Sequence, residues 1–322
     1  MRTLFGLWCF MLAALVPAAQ AQENYPNKTI TLVLTVPPGG AADFVARLVG
    51  QKLSDALGQP VVISNRGGAA GTIAADNVAK SAPDGYTLLL NSITTHGIGP
   101  HLSQSLPYDP VKDFTPIVFV AHVPLIMAIN SGHEMKSVAD VIAYGKANPG
   151  KLSFASSSNG SAPHLAGELM QMVTGIKMLH VPYRGSGPAV IDVGAGRVDM
   201  MFDGVPSLLP LIQAGKLRVL AAASAARNPV VPDAPTFEEL GIKGMEISLW
   251  YGLLGPAGLP QPIVQRLNTE LVKILKMPEI AESFAKQGAV PMGGSPQDFA
   301  TFMRAESDRW GEVVRRNNIK IE

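Results

Sequence analysis

Apolar and polar positions along this chain alternate between two periods. Residues 29–36 run Thr-Ile-Thr-Leu-Val-Leu-Thr-Val, β-branched and apolar with no helical repeat, which predicts a buried strand. From there Phe44, Leu48, Val49, Leu53 and Leu57 recur at helical spacing and predict an amphipathic helix. The alternation then repeats. Val61-Val62-Ile63 predicts a second strand, followed by a glycine loop through Gly71 and a helix over 72–79. Pro83-Asp84-Gly85 is a turn signal, and 86–91 a third strand that ends in a polar loop at 92–97. Successive β–loop–α units of this kind predict a parallel α/β sheet, in which ligands sit at the carboxyl ends of the strands.

The proline-rich stretch 107–116 is connecting, and 117–130 reads as a long apolar strand interrupted at Pro124 and running between two lobes. A helix over 138–148 is ended by Pro149-Gly150. The short strand 152–155 leads into Ser156-Ser157-Ser158-Asn159-Gly160-Ser161-Ala162-Pro163-His164 and a helix over 165–174. Val181-Pro182-Tyr183-Arg184-Gly185 is another strand end and loop, followed by a helix to about residue 195. A strand over 198–202 ends at Asp203. Residues 217–223 are apolar and are expected to recross to the first lobe. Residues 232–236 form a linker, 247–254 a strand, 260–276 a helix and 299–318 a closing helix.

Two loops carry candidate chemistry. Pro37-Pro38-Gly39-Gly40 joins a strand to a helix start, where first-turn N–H groups lack internal partners and the macrodipole favours negative charge. That is either an anion pocket or an ordinary βα connection. The loop 156–161 repeats the arrangement with hydroxyls as added donors. His164 either donates to a ligand or orders its loop. Asp43 in the first helical turn complements the dipole. Arg184 is either a bidentate carboxylate clamp or a surface ion-pair partner. Asp203 ends an apolar strand, where it either caps the next helix or meets a polar group of a ligand. Trp250-Tyr251 reads as core or hinge packing.

The extreme N-terminus changes the picture. Arg2, an apolar run over 4–16 and Ala19-Gln20-Ala21 form the pattern of a cleavable signal peptide, with cleavage expected after Ala21. Cys9 is the only cysteine and lies inside that leader, so disulfides, thiol catalysis and cysteine-ligated metal are excluded from the mature chain. Loss of Arg2 takes the 26 basic residues to 25, level with the 25 acidic ones. A neutral chain without a basic run offers nothing to nucleic acid or to an anionic surface. Nucleophile-elbow, Walker, dinucleotide and H-E-x-x-H patterns are all missing from the sequence. His164 and Glu168 at i, i+4 are two ligands short of a metal site. No metal and no cofactor is expected.

Taken in order, a set of short motifs resembles one family. These are Pro37-Pro38-Gly39-Gly40 with Asp43 and Ala46-Arg47, Asn65-Arg66-Gly67-Gly68-Ala69-Ala70-Gly71, Pro83-Asp84-Gly85-Tyr86 and His164-Leu165-Ala166-Gly167-Glu168. Val181-Pro182-Tyr183-Arg184-Gly185, Gly196-Arg197-Val198-Asp199-Met200-Met201-Phe202-Asp203 and Trp250-Tyr251-Gly252-Leu253 complete them. Their ordered sum spans the mature chain. It is similar to the Bug-type periplasmic substrate-binding proteins of tripartite tricarboxylate transporters.

The resemblance implies a two-lobed α/β clamshell, each lobe a mainly parallel sheet flanked by helices, with two crossover strands. Residues 22–120 and 224–322 would form lobe I, and 121–223 lobe II. It implies that backbone amides and waters hold a ligand carboxylate between two loops. These are Pro38, Gly39, Gly40, Ala41, Ala42 and Asp43 on one side, and Ser156, Ser157, Ser158, Asn159, Gly160, Ser161 and His164 on the other. Asp203 matches the family's variable specificity position. Where family members often carry an aromatic residue, this chain has Val36 and Pro37. The implied protein is a non-enzymatic, monomeric periplasmic receptor for a di- or tricarboxylate or an aromatic carboxylate. Its partners would be the permease subunits of the transporter. A ligand-binding partner of a sensor and an exported α/β hydrolase are the alternatives.

Overall fold

The computed structural model describes residues 25–103, 105–316 and 319. The expected leader with Cys9 and its cleavage site lies outside the described residues, as do 317 and 318 at the end of the expected last helix.

The first two strand–helix units form where the pattern places them. β1 (Ile30–Leu34) leads to α1 (Ala41–Leu57), and β2 (Val61–Asn65) to α2 (Thr72–Ala79). After β3 (Thr87–Ser92) the polar stretch is not the open loop expected. It winds into a wide π-helical turn at Ile93–Ile98 and the short α3 (Gly99–Leu102). Two local features permit this. Ser92 N–H donates to Thr95 Oγ1 (3.3 Å), and a Cβ at Gly99 would lie only 2.7 Å from the Thr94 carbonyl oxygen.

β4 (Phe114–Asn130) is one continuous 17-residue strand and joins two strand groups. Its first part pairs antiparallel with β9 (Ser248–Pro256) and β10 (Val290–Gly293); its last part pairs with β7 (Met200–Gly204) and β8 (Leu217–Ala222). Pro124 does not break the strand. It stands opposite Ser248, where the partners change, so its missing N–H falls at the seam between two ladders. β8 does not recross either: it stays beside residues 126–130 of β4. The chain returns just before β9, where Ile247 N–H donates to Ala223 O (3.0 Å) and Leu125 N–H to Ile247 O (3.3 Å).

In the first group β1 lies between β2 and β3, all parallel; in the second β5 (Leu152–Ser156) lies parallel between β6 (Met178–Pro182) and β7. Helices α4 (Val138–Ala147), α5 (Ala162–Thr174), α6 (Ser186–Gly194) and α7 (Val205–Gln213) accompany the second group. Helices α8 (Gln261–Leu275), α9 (Pro278–Ala285) and α10 (Pro296–Arg316) return to the first. Among the described residues no helix is long and apolar enough to cross a membrane.

The seam is braced by α10. Phe299 and Phe302 stack on Phe119 of β4 at 5.6 and 4.4 Å, and both meet Trp250 edge-on. The indole N–H groups of Trp250 and Trp310 both donate to Glu306 Oε2, at 3.0 and 3.2 Å, so two buried donors are satisfied by one carboxylate. Gly252 is the point of closest approach: a Cβ there would fall 1.9 Å from Phe299 Cζ. Gly252→Ala forces the helix off the sheet and is expected to destabilise the fold by roughly 1–3 kcal/mol or more, read as a lowered urea midpoint at unchanged slope.

Candidate functional site

Six loops at the carboxyl ends of β1, β2, β3, β5, β6 and β7 converge on one cleft. Its inner end is a small chamber of about 40 Å³. Gly40, Ala41 and Ala42 contribute the start of α1, Ser186 the start of α6, and Asp203 the residue before the Gly204 N-cap of α7. Ser92, Thr94 and Ser157 add hydroxyls, and Leu249 and Tyr251 close the apolar side. The N-caps of α1, α6 and α7 are Gly40, Gly185 and Gly204, and none has a side-chain cap. A serine or aspartate there would consume first-turn N–H groups; glycine leaves those of α1 and α6 to whatever occupies the chamber, whereas at α7 Pro206 has none and Asp203 already accepts from Gly204 N–H. Aligned helix starts add positive potential at the same place.

Asp203 is the one ionisable carboxyl lining this chamber and is 1% exposed. Its Oδ1 accepts from Gly204 N–H (2.7 Å) and the Ser207 hydroxyl (3.3 Å), while Oδ2 is buried without a partner among the described residues. Burial pushes its pKa up to about 6, against the opposing pull of the Ser186 hydroxyl, Gly204 N–H and the Ser207 hydroxyl. Burial, followed by the charge of Asp203, also raises Tyr251 well above the usual phenol range.

The serine loop is knitted to itself. The Ser156 and Ser161 hydroxyls both donate to Ser158 O, at 3.0 and 2.7 Å. Ser156 Oγ thereby accepts from His180 Nε2 at 2.6 Å. The His180 ring lies 3.8 Å from that of His164, and burial followed by the His164 ring lowers its pKa to about 4. His164 Nδ1 accepts the Gly160 N–H (3.1 Å), which puts the neutral ring's proton on Nε2, 3.6 Å from Glu168 Oε1. His164 thus braces the loop through Nδ1, with Glu168 the acidic neighbour of Nε2.

Outside the chamber the cleft widens into two cavities of about 590 and 540 Å³. They share Ala69, Ala70, Thr94, Ser158, Tyr183 and Arg184, and Thr94 lines all three spaces. The wall between β2 and α2 is unusual: Gly68, Ala69, Ala70 and Gly71 are four successive residues at positive φ (125°, 46°, 52° and 87°). For the two alanines this costs about 1–2 kcal/mol each, and strain of this kind concentrates at ligand sites.

Comparison with known proteins decides the family. Residues 45–319 match the model of the tripartite tricarboxylate transporter family receptor. The chain belongs to this family. Among its relatives, Protein BugT of Bordetella pertussis is 38% identical over 322 residues, covering 100% of this chain and 99% of its own. An R. palustris protein solved with adipate superposes with a TM-score of 0.90 at 38% identity, covering 92% of this chain and 99% of its own. MatC from Rhodopseudomonas palustris, solved with malate, gives 0.86 at 33%, covering 90% and 100%. The mixed α/β architecture is that of periplasmic binding proteins such as BugD.

Within this receptor, Gly40, Ala41, Ala42, Ser157 and Asp203 line the inner chamber. Pro38, Ser158, Asn159, Gly160 and Ser161 line the outer cavities. Gly39, Asp43, Ser156 and His164 line none of these and shape the loops instead. Asp43 accepts from Gly39 N–H (3.3 Å), Arg47 Nε (2.9 Å) and Asn65 Nδ2 (3.3 Å). Burial alone would raise its pKa, but those bonds outweigh burial and hold it low. Trp250 is core and Tyr251 is chamber wall. Sequence reading did not single out Ser92, Thr94 or Ser186, and it took Tyr251 for core or hinge packing; the polar run after β3 and the glycine-flanked Ser186 were the available signals.

Asp203 generates a pH prediction. Its folded pKa is raised, so the native state holds this proton more tightly than the unfolded chain. The stability so conferred is present below about pH 4 and lost as pH rises through about 6. Asp203→Asn keeps the Oδ1 contacts and replaces the orphan oxygen by an amide. It is expected to equal the wild type near pH 4 and to exceed it by about 3 kcal/mol at pH 8, in paired urea titrations.

Proposed function

We propose that this chain is an exported receptor that captures a small carboxylate between the two strand groups and presents it to the permease subunits of a tripartite tricarboxylate transporter. The carrying observation is the convergence of two glycine-capped helix starts without a side-chain cap, those of α1 and α6, on one chamber. A carboxylate is small enough for that space and accepts from N–H groups on several sides. Each charge-assisted hydrogen bond is worth roughly 1.5–3 kcal/mol, so a few of them with cleft closure reach micromolar affinity, about −8 kcal/mol. Asp203 offers its unpartnered oxygen to a hydroxyl, an ammonium or a shared proton on the ligand. Adipate and malate in the related solved proteins support the carboxylate class.

The signal-peptide pattern supports a periplasmic location for the monomer. In this reading the two groups act as lobes, 22–120 with 224–322 and 121–223, joined at the seam of β4 and β9, and the loops carrying Pro38–Asp43 and Ser156–His164 are the jaws.

One feature speaks to the hydrolase alternative. Ser156 and His180 form a close Ser–His pair, but Ser156 is fully buried, lines no described cavity and aims its proton at Ser158 O. A nucleophile there has no route to a substrate in the cleft. The sensor alternative shares the same site and is separated by biology: loss of carboxylate uptake on gene deletion supports transport, whereas intact uptake with lost induction supports sensing.

A panel of dicarboxylates and aromatic carboxylates, each in thermal unfolding at a hundredfold excess over Kd, is expected to stabilise the protein by about 3 kcal/mol for the cognate acid. A flat response across the panel counts against the reading. A Cβ at Gly40 would lie 3.6 Å from Ser186 Oγ and 3.9 Å from Ser207 Oγ, and φ is −105°, so valine is tolerated by the backbone but fills the chamber mouth. Gly40→Val is expected to melt cooperatively and to lose the ligand-induced shift.

A further inference from the structure

We infer that Arg184 is a specificity-determining residue of this cleft: it receives a second anionic group of the ligand, so that discrimination between a diacid and its singly charged analogue rests on this one side chain. The inference rests on the carboxylate reading above and adds the far end of the ligand to it.

Both outer cavities are lined by small, hydroxylic and apolar residues, and Arg184 is the only charged residue lining either; it lines both. Among the described residues it has no ion pair. The acid nearest in sequence is already committed: Asp192 accepts from the Tyr183 hydroxyl (2.7 Å) and from Arg197. A residue with five guanidinium donors thus borders a large space with no other charged lining residue to cancel its field.

Its mounting is rigid on both sides. Tyr183 N–H donates to Ser156 O (3.0 Å) and Gly185 N–H to Ser157 O (2.8 Å), so the backbone that carries Arg184 is bonded to the serine loop. Across the cleft stand Ala69, Ala70 and Thr94 of the other strand group. Gly185 itself abuts Pro37 of that group, since a Cβ at residue 185 would lie 3.1 Å from Pro37 Cγ. Arg184 therefore sits one residue from the place where the two groups touch, and it lines the cavities on both sides.

The spaces are connected. The inner chamber and the larger outer cavity share Val36, Pro37, Thr94 and Ser157. A ligand with one carboxylate against the start of α1 has its remaining length in the outer cavity, within the sweep of Arg184. A planar fork pairs two-pronged with a carboxylate, giving direction as well as charge. The exposure of Arg184 keeps the pair modest and salt-sensitive. The expected consequence is discrimination between a diacid and its singly charged analogue.

The test compares straight-chain α,ω-dicarboxylates of four to eight carbons with their monoamides, which match them in length and lack one charge. Kd is measured by calorimetry for wild type, Arg184→Gln and Arg184→Lys at low and moderate salt. Wild type is expected to prefer the diacid about tenfold or more at its best chain length, with the preference shrinking as salt rises. Arg184→Gln is expected to reduce the preference to within about twofold while holding monoamide affinity nearly constant, and Arg184→Lys to fall between. Monoamide binding serves as the control for folding. If Arg184→Gln keeps the wild-type preference, or wild type binds monoamides as tightly as diacids, the assignment of Arg184 is overturned and the carboxylate reading stands. If neither acid series binds wild type at millimolar concentration, both readings fall together.

Discussion

Backbone N–H groups without partners are the constraint around which this molecule is arranged. Every helix begins with several, and most proteins spend a side chain on them. Here Gly40 and Gly185 start two helices with no side chain to spend, and the fold turns both starts toward one chamber, while Asp203 occupies the start of a third at Gly204. The convergence requires strands from two groups to point their carboxyl ends at each other, which in turn requires one strand to belong to both. β4 meets that need over 17 residues, with its proline at the junction of its partners.

Most of the framework was legible in the sequence. β-branched runs at 29–36 and 61–63, the helical repeat from Phe44 and the helix at 72–79 were local signals that tertiary packing did not override. The two loops at 37–43 and 156–164 were also legible, since strand, glycine or serine loop and helix start is a pattern of adjacent residues. What escaped depends on distant partners. β10 is four residues long and exists by pairing with β4. α7 carries Pro206 and Pro210, which hide its helical repeat. The wide turn at Ile93–Ile98 looks polar and irregular in sequence and becomes helical through Ser92 and Thr95.

The roles of individual side chains divide along the same line. His164 stood equally for ligand donor and loop brace; the structure adds the bracing bond from Gly160 N–H to Nδ1, which depends on how the loop folds back. Thr94 stood out from its polar run only in three dimensions, because its position is geometric: it borders three spaces made by six loops. The unsatisfied oxygen of Asp203 is likewise a fact about surroundings, since the same residue ending an apolar strand could equally have been a fully used cap.

Pro37 brings together positions that sequence keeps far apart. Its ring occupies the space a side chain would need at Gly67, where a Cβ would lie 2.8 Å from Cδ, and also at Gly185 on the opposite strand group. One rigid ring thus sets the permitted residue at two sites 118 positions apart along the chain. The three form a steric unit whose members do not vary independently, so the effect of changing one is defined only with the other two specified. Heredity would see that unit as epistasis; mechanically it is the spacer that sets how near the two strand groups stand at this point.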